Sequence, residues 1–284
     1  MKELTVRAYA KINLTLDVLR RRADGYHEVR MLMQRVSLCD DIVLSRQSGD
    51  ISLRSNMAYL PCDSRNLAVR AAERFFDAAA LGGEGVAIDL VKRIPVAAGL
   101  AGGSADAAAV LTGLNTLYGA PLSEERLMEL GAALGADVPF CIAGGTMLAE
   151  GIGERLTRLP ALPRTNVVLC KPPVSLSTAY VYSKIRCSRI RRRPDTAGAL
   201  DALRAGDLAG VCRRMYNVME DVAVQEHRAI SDIKSAMLAA GADGAVMSGS
   251  GPTVVGLFSN RNAAEACACA LSNTYRDVFC VETM

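Results

Sequence analysis

The sequence predicts an α+β fold in two halves, a mixed sheet with helices followed by a split βαβ domain. Alternating apolar and polar residues, typical of strands, dominate the beginning of the chain, and helix-like segments follow. After the proline-rich stretch at residues 160–163, the second half reads strand, helix, strand, strand, helix, strand once its short middle helices are left out. We therefore expect two domains, residues 1–160 and 161–284.

The composition is that of an ordinary globular chain. The 284 residues carry a net charge of +3, which is too small to indicate a nucleic-acid partner. Met1–Arg7 lacks the apolar core of a signal peptide, and no apolar run is long enough to span a bilayer. The nine cysteines are scattered without a C-x-x-C pair, which predicts buried, reduced thiols in a cytoplasmic protein without structural zinc.

The first half begins with predicted strands. Alternation from Ile12 to Leu19, broken only at its end, indicates a strand with one buried face. Asn66 ends a polar segment that caps a helix, and Ser123 caps another. The predicted strands are residues 5–8, 12–19, 26–36, 40–45, 51–53, 86–92, 146–149 and 154–157, and the predicted helices are residues 67–79, 105–117 and 124–134.

The second half has its own pattern of short strands and helices, and no internal repeat is present. The basic run between Arg186 and Asp195 is typical of a solvated loop. The predicted strands are residues 167–170, 245–248, 253–258 and 278–282, and the predicted helices are residues 178–184, 197–204, 208–215, 227–240 and 261–271.

Residues 94–111 hold the stretch around which the chain is organised. A strand, a loop with Gly99, Gly102 and Gly103, and a helix follow one another without a break. This layout presents backbone N–H groups at the positive end of a helix, which suits a phosphate. Ser104 is expected to cap the helix, and its hydroxyl could equally face a phosphate or its metal ion. The glycines alone also fit a tight turn that packs a helix on a sheet.

The loop matches neither G-x-x-x-x-G-K-[ST] nor G-x-G-x-x-G. It resembles the phosphate loop of the GHMP kinases, the superfamily of galactokinase, homoserine kinase and mevalonate kinase, in its P-x-x-x-G-L start at Pro95 and in the serine followed by a second serine or alanine at Ser104 and Ala105. Further stretches resemble the members that act on a cytidine diphosphate conjugate of methylerythritol in the non-mevalonate isoprenoid pathway. These stretches are Ala10–Leu14, Gly25–His27, Gly135–Pro139 and Gly249–Thr253.

The resemblance implies a two-domain GHMP kinase fold and ATP-dependent phosphorylation, with Mg²⁺, of the tertiary 2-hydroxyl of that conjugate. A tertiary alcohol is hindered and weakly acidic, so it needs a base and an aligned γ-phosphate. Asp137 matches the family's base, and Lys11 matches the partner that would keep Asp137 ionised and stabilise charge on the transferred group. Taken alone, Asp137 could also cap a helical turn, and Lys11 could be a solvated strand-end lysine.

The resemblance also implies the binding residues. Tyr26 and His27 would bind the cytidine by stacking and by contacts to its polar edge, with Tyr182 on the opposite face, where Phe is common. Asn13 and Thr178 match positions that line the substrate. The predicted ATP-binding residues are Pro95, Val96, Ala97, Ala98, Gly99, Leu100, Ala101, Gly102, Gly103, Ser104 and Ala105 in the loop, with Asn66, Lys92 and Asp106 around the adenine.

Two loop positions depart from the family pattern. Ala101 stands where Gly is frequent, and Ala105 stands where Ser is frequent. Both residues are small, so we expect the backbone cradle to persist, although Ala105 cannot offer the hydroxyl of a serine. Two assignments stay open: Gly249–Gly251 either touches the nucleotide or only forms a close-packed turn, and His27 considered alone also fits a core contact.

Two other functions are compatible with parts of the sequence. A kinase acting on homoserine or a mevalonate derivative would keep the loop and lack the cytidine pocket. An RNA-binding module is suggested by the arginines at residues 189–193, but no aromatic pair lies among them and the net charge is low. We expect a small-molecule substrate as the only partner, without nucleic acid or membrane, in a monomer or homodimer whose metal ligands the sequence does not assign.

Overall fold

The computed structural model describes residues 2–284. The chain forms two compact units, and each unit is built from several segments of the sequence. Unit 1 comprises the chain up to Ala10, Cys39–Val96 and Ala101–Gly144, and unit 2 comprises Lys11–Leu38, Ala97–Leu100 and Gly145–Met284. The domain boundary between residues 160 and 161 stays a prediction.

The elements up to residue 143 are two long strands followed by shorter strands and helices. They are β1 (Glu3–Arg21), β2 (His27–Ser48), β3 (Ile51–Ser55), α1 (Leu67–Ala78), β4 (Glu84–Val91), α2 (Gly102–Leu117), α3 (Glu124–Ala132) and α4 (Val138–Ala143). Each of β1 and β2 is one continuous strand where the sequence predicts two, and each passes through both units.

In unit 1 the strand order is β3, β4, β2. β3 runs parallel to β4, and β2 runs antiparallel to β4 from the pair Ser48–Glu84 to the pair Asp41–Val91. α1 and α2 pack against each other. Buried apolar side chains such as Leu44, Phe75 and Leu111 form the core of this unit. The β2–β4 ladder ends immediately before Lys92, which places the glycine-rich loop at the edge of this core.

The elements of the remaining chain are numerous and short. They are β5 (Thr146–Gly151), β6 (Arg155–Arg158), β7 (Asn166–Lys171), α5 (Thr178–Lys184), α6 (Thr196–Arg204), α7 (Leu208–Cys212), β8 (Tyr216–Asn217), α8 (Glu220–Glu226), α9 (Ala229–Ala239), β9 (Gly244–Met247), β10 (Val254–Phe258), α10 (Arg261–Ser272) and β11 (Asp277–Glu282). The sequence predicts neither β8 nor α8.

The C-terminal sheet of unit 2 has the strand order β11, β7, β10, β9, with antiparallel pairing throughout. α9 packs on β9 and β10, and α10 packs on β7 and β11. The second sheet region of this unit contains β6, β5, β2, β1 and β8, with β8 parallel to β1 at Thr15 and Leu16. The split βαβ arrangement and the α+β class predicted from the sequence are therefore confirmed.

The half-buried strand predicted at residues 12–19 is wrong in its burial, because the polar side of β1 is buried as well. Asn13, Thr15 and Asp17 are 0%, 1% and 7% exposed. Hydrogen bonds make this burial tolerable: Leu32 N donates to Thr15 Oγ1 at 3.2 Å, and Arg193 Nη1 donates to Asp17 Oδ1 at 2.6 Å. The basic run is consequently not wholly a solvated loop, since Arg193 is tied to β1.

The cysteines and the helices bear on two further predictions. All nine cysteines are free thiols, but only Cys170, Cys212 and Cys267 are buried, so the prediction of burial is wrong for the others. Along residues 2–284, none of the helices combines the length and the apolar character needed to cross a bilayer.

Candidate active site

The helix that follows the glycine-rich loop begins earlier than predicted. α2 starts at Gly102, and its N-cap residue is Ala101, which has a left-handed φ of 57°. Gly102 and Gly103 belong to the helix, so Ser104 lies within its first turn. The prediction that Ser104 caps the helix is therefore wrong, because the chain turns at Ala101 instead. The first N–H groups of a helix have no intrahelical acceptor, so the start of α2 presents donors suited to a phosphate.

The stretch that carries Asp137 lies beside the start of α2 in the same unit. A Cβ on Gly135 would be 3.7 Å from Ser104 Oγ, and α4 packs against α2. Asp137 is half-buried at the N-cap position of α4, but its dihedrals are right-handed helical and its side chain makes no capping hydrogen bond. Capping therefore does not account for an aspartate at this position.

Two of the predicted adenine residues meet in a buried ion cluster with a residue that the sequence did not indicate. Lys92 Nζ donates to Asp106 Oδ2 at 2.7 Å and to Asp40 Oδ2. Burial opposes the charge on Lys92, but the carboxylates of Asp106 and Asp40 outweigh it and raise the lysine pKa. Burial raises the pKa of Asp106 to about 7 against the attraction of Lys92, and Asp40 adds to the rise. Among residues 2–284, Asp106 Oδ1 is buried without a hydrogen-bond partner.

Asn66 has a structural role at the start of α1. Its Oδ1 accepts a hydrogen bond from Ala68 N at 3.0 Å, and its Nδ2 donates to Pro61 O at 2.9 Å. The predicted cap of this helix is confirmed. Contact between Asn66 and the adenine stays a prediction.

In unit 2, the middle of the glycine-rich loop packs closely on the turn that follows β9. Gly99 has φ 76°, and a Cβ there would lie 2.2 Å from Ser248 O, so no side chain fits. Ser248 Oγ donates to Gly99 O at 3.0 Å, and Thr253 N donates to Ala98 O at 3.4 Å. A Cβ on Gly249 would lie 3.1 Å from Gly99 O, and a Cβ on Gly251 would lie 2.4 Å from Met247 Sδ. Close packing therefore explains the glycines of the 249–251 turn, and contact with a nucleotide stays a prediction.

Lys11 lies at this same junction. The lysine is 4% exposed, its backbone N donates to Leu100 O at 3.2 Å, and its Nζ donates to Asn13 Oδ1 at 2.8 Å. A Cβ on Gly249 would be 3.5 Å from Lys11 Nζ. A solvated strand-end lysine is therefore ruled out. Asn13 N also donates to Ser248 Oγ at 3.2 Å, which joins β1 to the turn.

Asn217 is a further positioning residue that the sequence did not indicate. It is fully buried, and its Nδ2 donates to Met247 O at 2.8 Å and to Gly249 O at 2.7 Å. Its Oδ1 accepts from Met219 N at 2.9 Å. The two bonds to the turn join segments far apart in the chain, so no local pattern could reveal this role.

The predicted cytidine residues are partly assembled in unit 2. The rings of His27 and Tyr182 stack with centroids 5.0 Å apart and an interplanar angle of 21°, whereas Tyr26 is 61% exposed. Burial, and then the charge of Arg21, lowers the pKa of His27. Thr178 Oγ1 lies 2.9 Å from Ser250 Oγ. His27 and Tyr182 are thus brought together, and their binding to a pyrimidine stays a prediction.

The predicted catalytic pair is divided between the units, since Asp137 belongs to unit 1 and Lys11 to unit 2. Their direct cooperation stays a prediction. In the described part of the chain, no group of three or more His, Cys, Asp or Glu side chains is arranged to hold a metal ion.

Models of known protein families match both parts of the chain. The GHMP kinases N terminal domain matches residues 66–145, and the GHMP kinases C terminal domain matches residues 199–277. Among curated relatives, the 4-diphosphocytidyl-2-C-methyl-D-erythritol kinase of Acetivibrio thermocellus is 45% identical over all of both chains. The protein of the same name from Alkaliphilus oremlandii is 46% identical over 100% of this chain and 97% of its own.

Solved structures of GHMP kinases have folds similar to that of this chain. A crystal structure of 4-(cytidine 5'-diphospho)-2C-methyl-D-erythritol kinase is 36% identical, covers 99% of both chains and has a TM-score of 0.83. Homoserine kinase from Cytophaga hutchinsonii is 20% identical over 99% of this chain and 94% of its own, with a TM-score of 0.73. At that identity the likeness shows a shared fold alone.

Proposed function

Because this chain belongs to the 4-diphosphocytidyl-2-C-methyl-D-erythritol kinase family of the GHMP kinases, and is thus a small-molecule kinase, we propose its substrate and reaction. ATP phosphorylates the tertiary 2-hydroxyl of 4-diphosphocytidyl-2-C-methyl-D-erythritol, in the non-mevalonate route to isoprenoid precursors. The observation that carries the proposal is full-length identity above 40% with relatives of that name. A cytoplasmic location and a monomer or homodimer stay predictions.

In the proposed reaction, Asp137 accepts the hydroxyl proton while the substrate oxygen bonds to the γ-phosphorus, and ADP leaves as the bond to the β-phosphate oxygen breaks. The position of Asp137, half-buried beside the start of α2 and outside the capping bonds of α4, supports this role. Lys11 stabilises the charge on the transferred group, which its burial strengthens, since charges interact more strongly away from water.

The loop residues hold the phosphates, and Mg²⁺ enters with ATP to neutralise their charge. The N–H groups at the start of α2 and the hydroxyl of Ser104 are the donors proposed to contact the phosphates. Tyr26, His27 and Tyr182 bind the cytidine, and the neutral imidazole favoured by the lowered pKa of His27 can offer one donor and one acceptor to its polar edge.

A substrate panel tests this proposal. The purified protein is given ATP and Mg²⁺ with the cytidylyl substrate, homoserine or mevalonate, and ADP release is measured for each. We expect turnover with the cytidylyl substrate alone. Turnover with homoserine or mevalonate but not with the cytidylyl compound would contradict the proposal, and so would salt-sensitive RNA binding in a protein without kinase activity.

A further inference from the structure

Asp40 is a fully buried carboxylate at a core-facing position of β2. The residues that share its face, Leu38, Ile42 and Leu44, are apolar and buried. An ionisable side chain at such a position is rare unless it is paired and hydrogen-bonded. The proposed chemistry gives Asp40 no task, so its partners indicate why it is there.

One oxygen of Asp40 holds the backbone that enters the glycine-rich loop. The β2–β4 ladder ends at the pair Asp41–Val91. Beyond it, Asp40 Oδ1 accepts hydrogen bonds from Arg93 N and, at 2.8 Å, from Ile94 N. Hydrogen bonds to an ionised acceptor are stronger than those between neutral groups, so this carboxylate fixes the chain where the sheet no longer can.

The other oxygen reaches the helix that leaves the loop. Asp40 Oδ2 accepts from Lys92 Nζ, and the same ammonium donates to Asp106 Oδ2 of α2 at 2.7 Å. Gly102, the first residue of α2, packs directly on this cluster, since a Cβ there would lie 3.2 Å from Lys92 Nζ. A single buried side chain is therefore connected to both ends of the loop.

We propose that Asp40 is a positioning residue of the nucleotide site, which fixes the entry of the phosphate loop directly and the start of α2 through Lys92. This inference rests on the ATP site of the proposed function. Donors that are misplaced at either end of the loop would bind phosphate less well. Binding of the substrate that accepts the phosphoryl group should be weakened much less, because other residues are proposed to bind it.

Asp40→Asn tests the proposal, with Asp41→Asn as its matched control. Asparagine keeps the size but removes the charge and turns donors toward Lys92. We expect the ADP dissociation constant and the KM for ATP to rise about tenfold, with the KM for the cytidylyl substrate changed by less than about twofold. Asp41 pairs with the guanidinium of Arg93 at 2.6 Å on the surface, where such pairs contribute little, so its variant should bind ADP normally.

A purely structural role gives a different result. If kcat falls in Asp40→Asn while both KM values and the calorimetric ADP affinity stay at wild-type values, the variant has only fewer active molecules, and the inference is overturned. ADP affinity is measured well below the Tm of the variant so that unfolding does not contribute.

Hydrogen exchange of the wild-type protein decides the question if Asp40→Asn does not fold. The amides of Arg93 and Ile94 should exchange as slowly as those inside β4, and exchange at the rate of an unstructured peptide would overturn the inference. If ADP binding is weaker in Asp40→Asn as expected, but the wild-type protein does not phosphorylate the cytidylyl substrate, the inference stands and the proposed function fails. If wild-type protein binds no ADP, both fail.

Discussion

Asp137 is the residue at which proton transfer and nucleotide binding can be separated. Asparagine preserves the shape of the side chain at the start of α4 but cannot accept the proton. We expect Asp137→Asn to lower kcat by about 10²–10⁴ while calorimetry shows unchanged ADP binding. Asp89→Asn, which changes an exposed carboxylate on β4, should leave both quantities unchanged. Wild-type turnover in Asp137→Asn would remove it from the role of base.

His27 gives the protein a predictable response to pH. Burial and the charge of Arg21 hold its pKa below the usual value of 6.5, so the folded protein favours the neutral ring. As the pH falls through 6.5, the unfolded chain takes up this proton first. The contribution of His27 to stability is therefore complete above 6.5 and declines progressively as the pH falls toward the folded pKa.

Proton NMR measures this directly, because the chain has only two histidines. The imidazole signal that disappears in His27→Gln should titrate below pH 6.5 in the wild-type protein. The free energy of unfolding of His27→Gln should also depend less on pH below this value. Titration of that signal above pH 6.5 would show that the surroundings of His27 favour the charged ring instead.

At the scale of elements, the entry into α2 carries backbone strain. Ala101 has φ 57°, a region in which L-residues cost about 1–2 kcal/mol and glycine costs almost nothing. Ala101→Gly removes this cost but adds freedom to the unfolded chain, which takes back about 0.4–1 kcal/mol. We therefore expect a gain of up to about 1.6 kcal/mol in the free energy of unfolding, measured by denaturant titration.

The same chemical change in an ordinary helix provides the control. Ala266 is exposed within α10, where replacement by glycine should destabilise the protein by about 1 kcal/mol. If Ala101→Gly destabilises the protein as much as Ala266→Gly does, the left-handed turn before α2 is absent in solution.

The elements that the sequence predicts best are those with a strong local pattern. The helix predicted at residues 178–184 has the same bounds as α5. Ser177 caps its start, and Ile185, whose backbone is extended, ends it. The burial of β1 was not predictable, since the hydrogen bonds that satisfy Thr15 and Asp17 come from residues distant in the chain. β8 is only two residues long, and it forms through pairing with β1 rather than through a propensity of its own.

The candidate site shows the same division between local and distant information. The glycine-rich loop and the stretches around Lys11 and Asp137 are continuous patterns, and the sequence alone indicates them. Asp40 had one local signal, because it is an acid at an inward position between Leu38 and Ile42. Its task was not predictable, since its partners lie more than fifty residues away.

For the whole molecule, the architecture of the C-terminal half could be predicted from the sequence, whereas the division into compact units could not. The C-terminal half could be predicted as a split βαβ domain because its strands and helices are short, separate and regular. The compact units do not follow those halves, because β1 and β2 pass from one unit into the other and the glycine-rich loop is shared between them. Such an exchange of segments depends on long-range packing and leaves no periodicity in the sequence.

Phosphorus NMR of the reaction product tests the central claim most directly. The protein is incubated with ATP, Mg²⁺ and the cytidylyl substrate, and the phosphorus spectrum is recorded with proton coupling. We expect a new phosphomonoester signal that is an unsplit singlet, because the carbon that bears the tertiary 2-hydroxyl carries no hydrogen. A phosphomonoester signal split by protons on its carbon would place the phosphate on another hydroxyl and contradict the claim, and inorganic phosphate as the sole product would contradict phosphoryl transfer to this substrate.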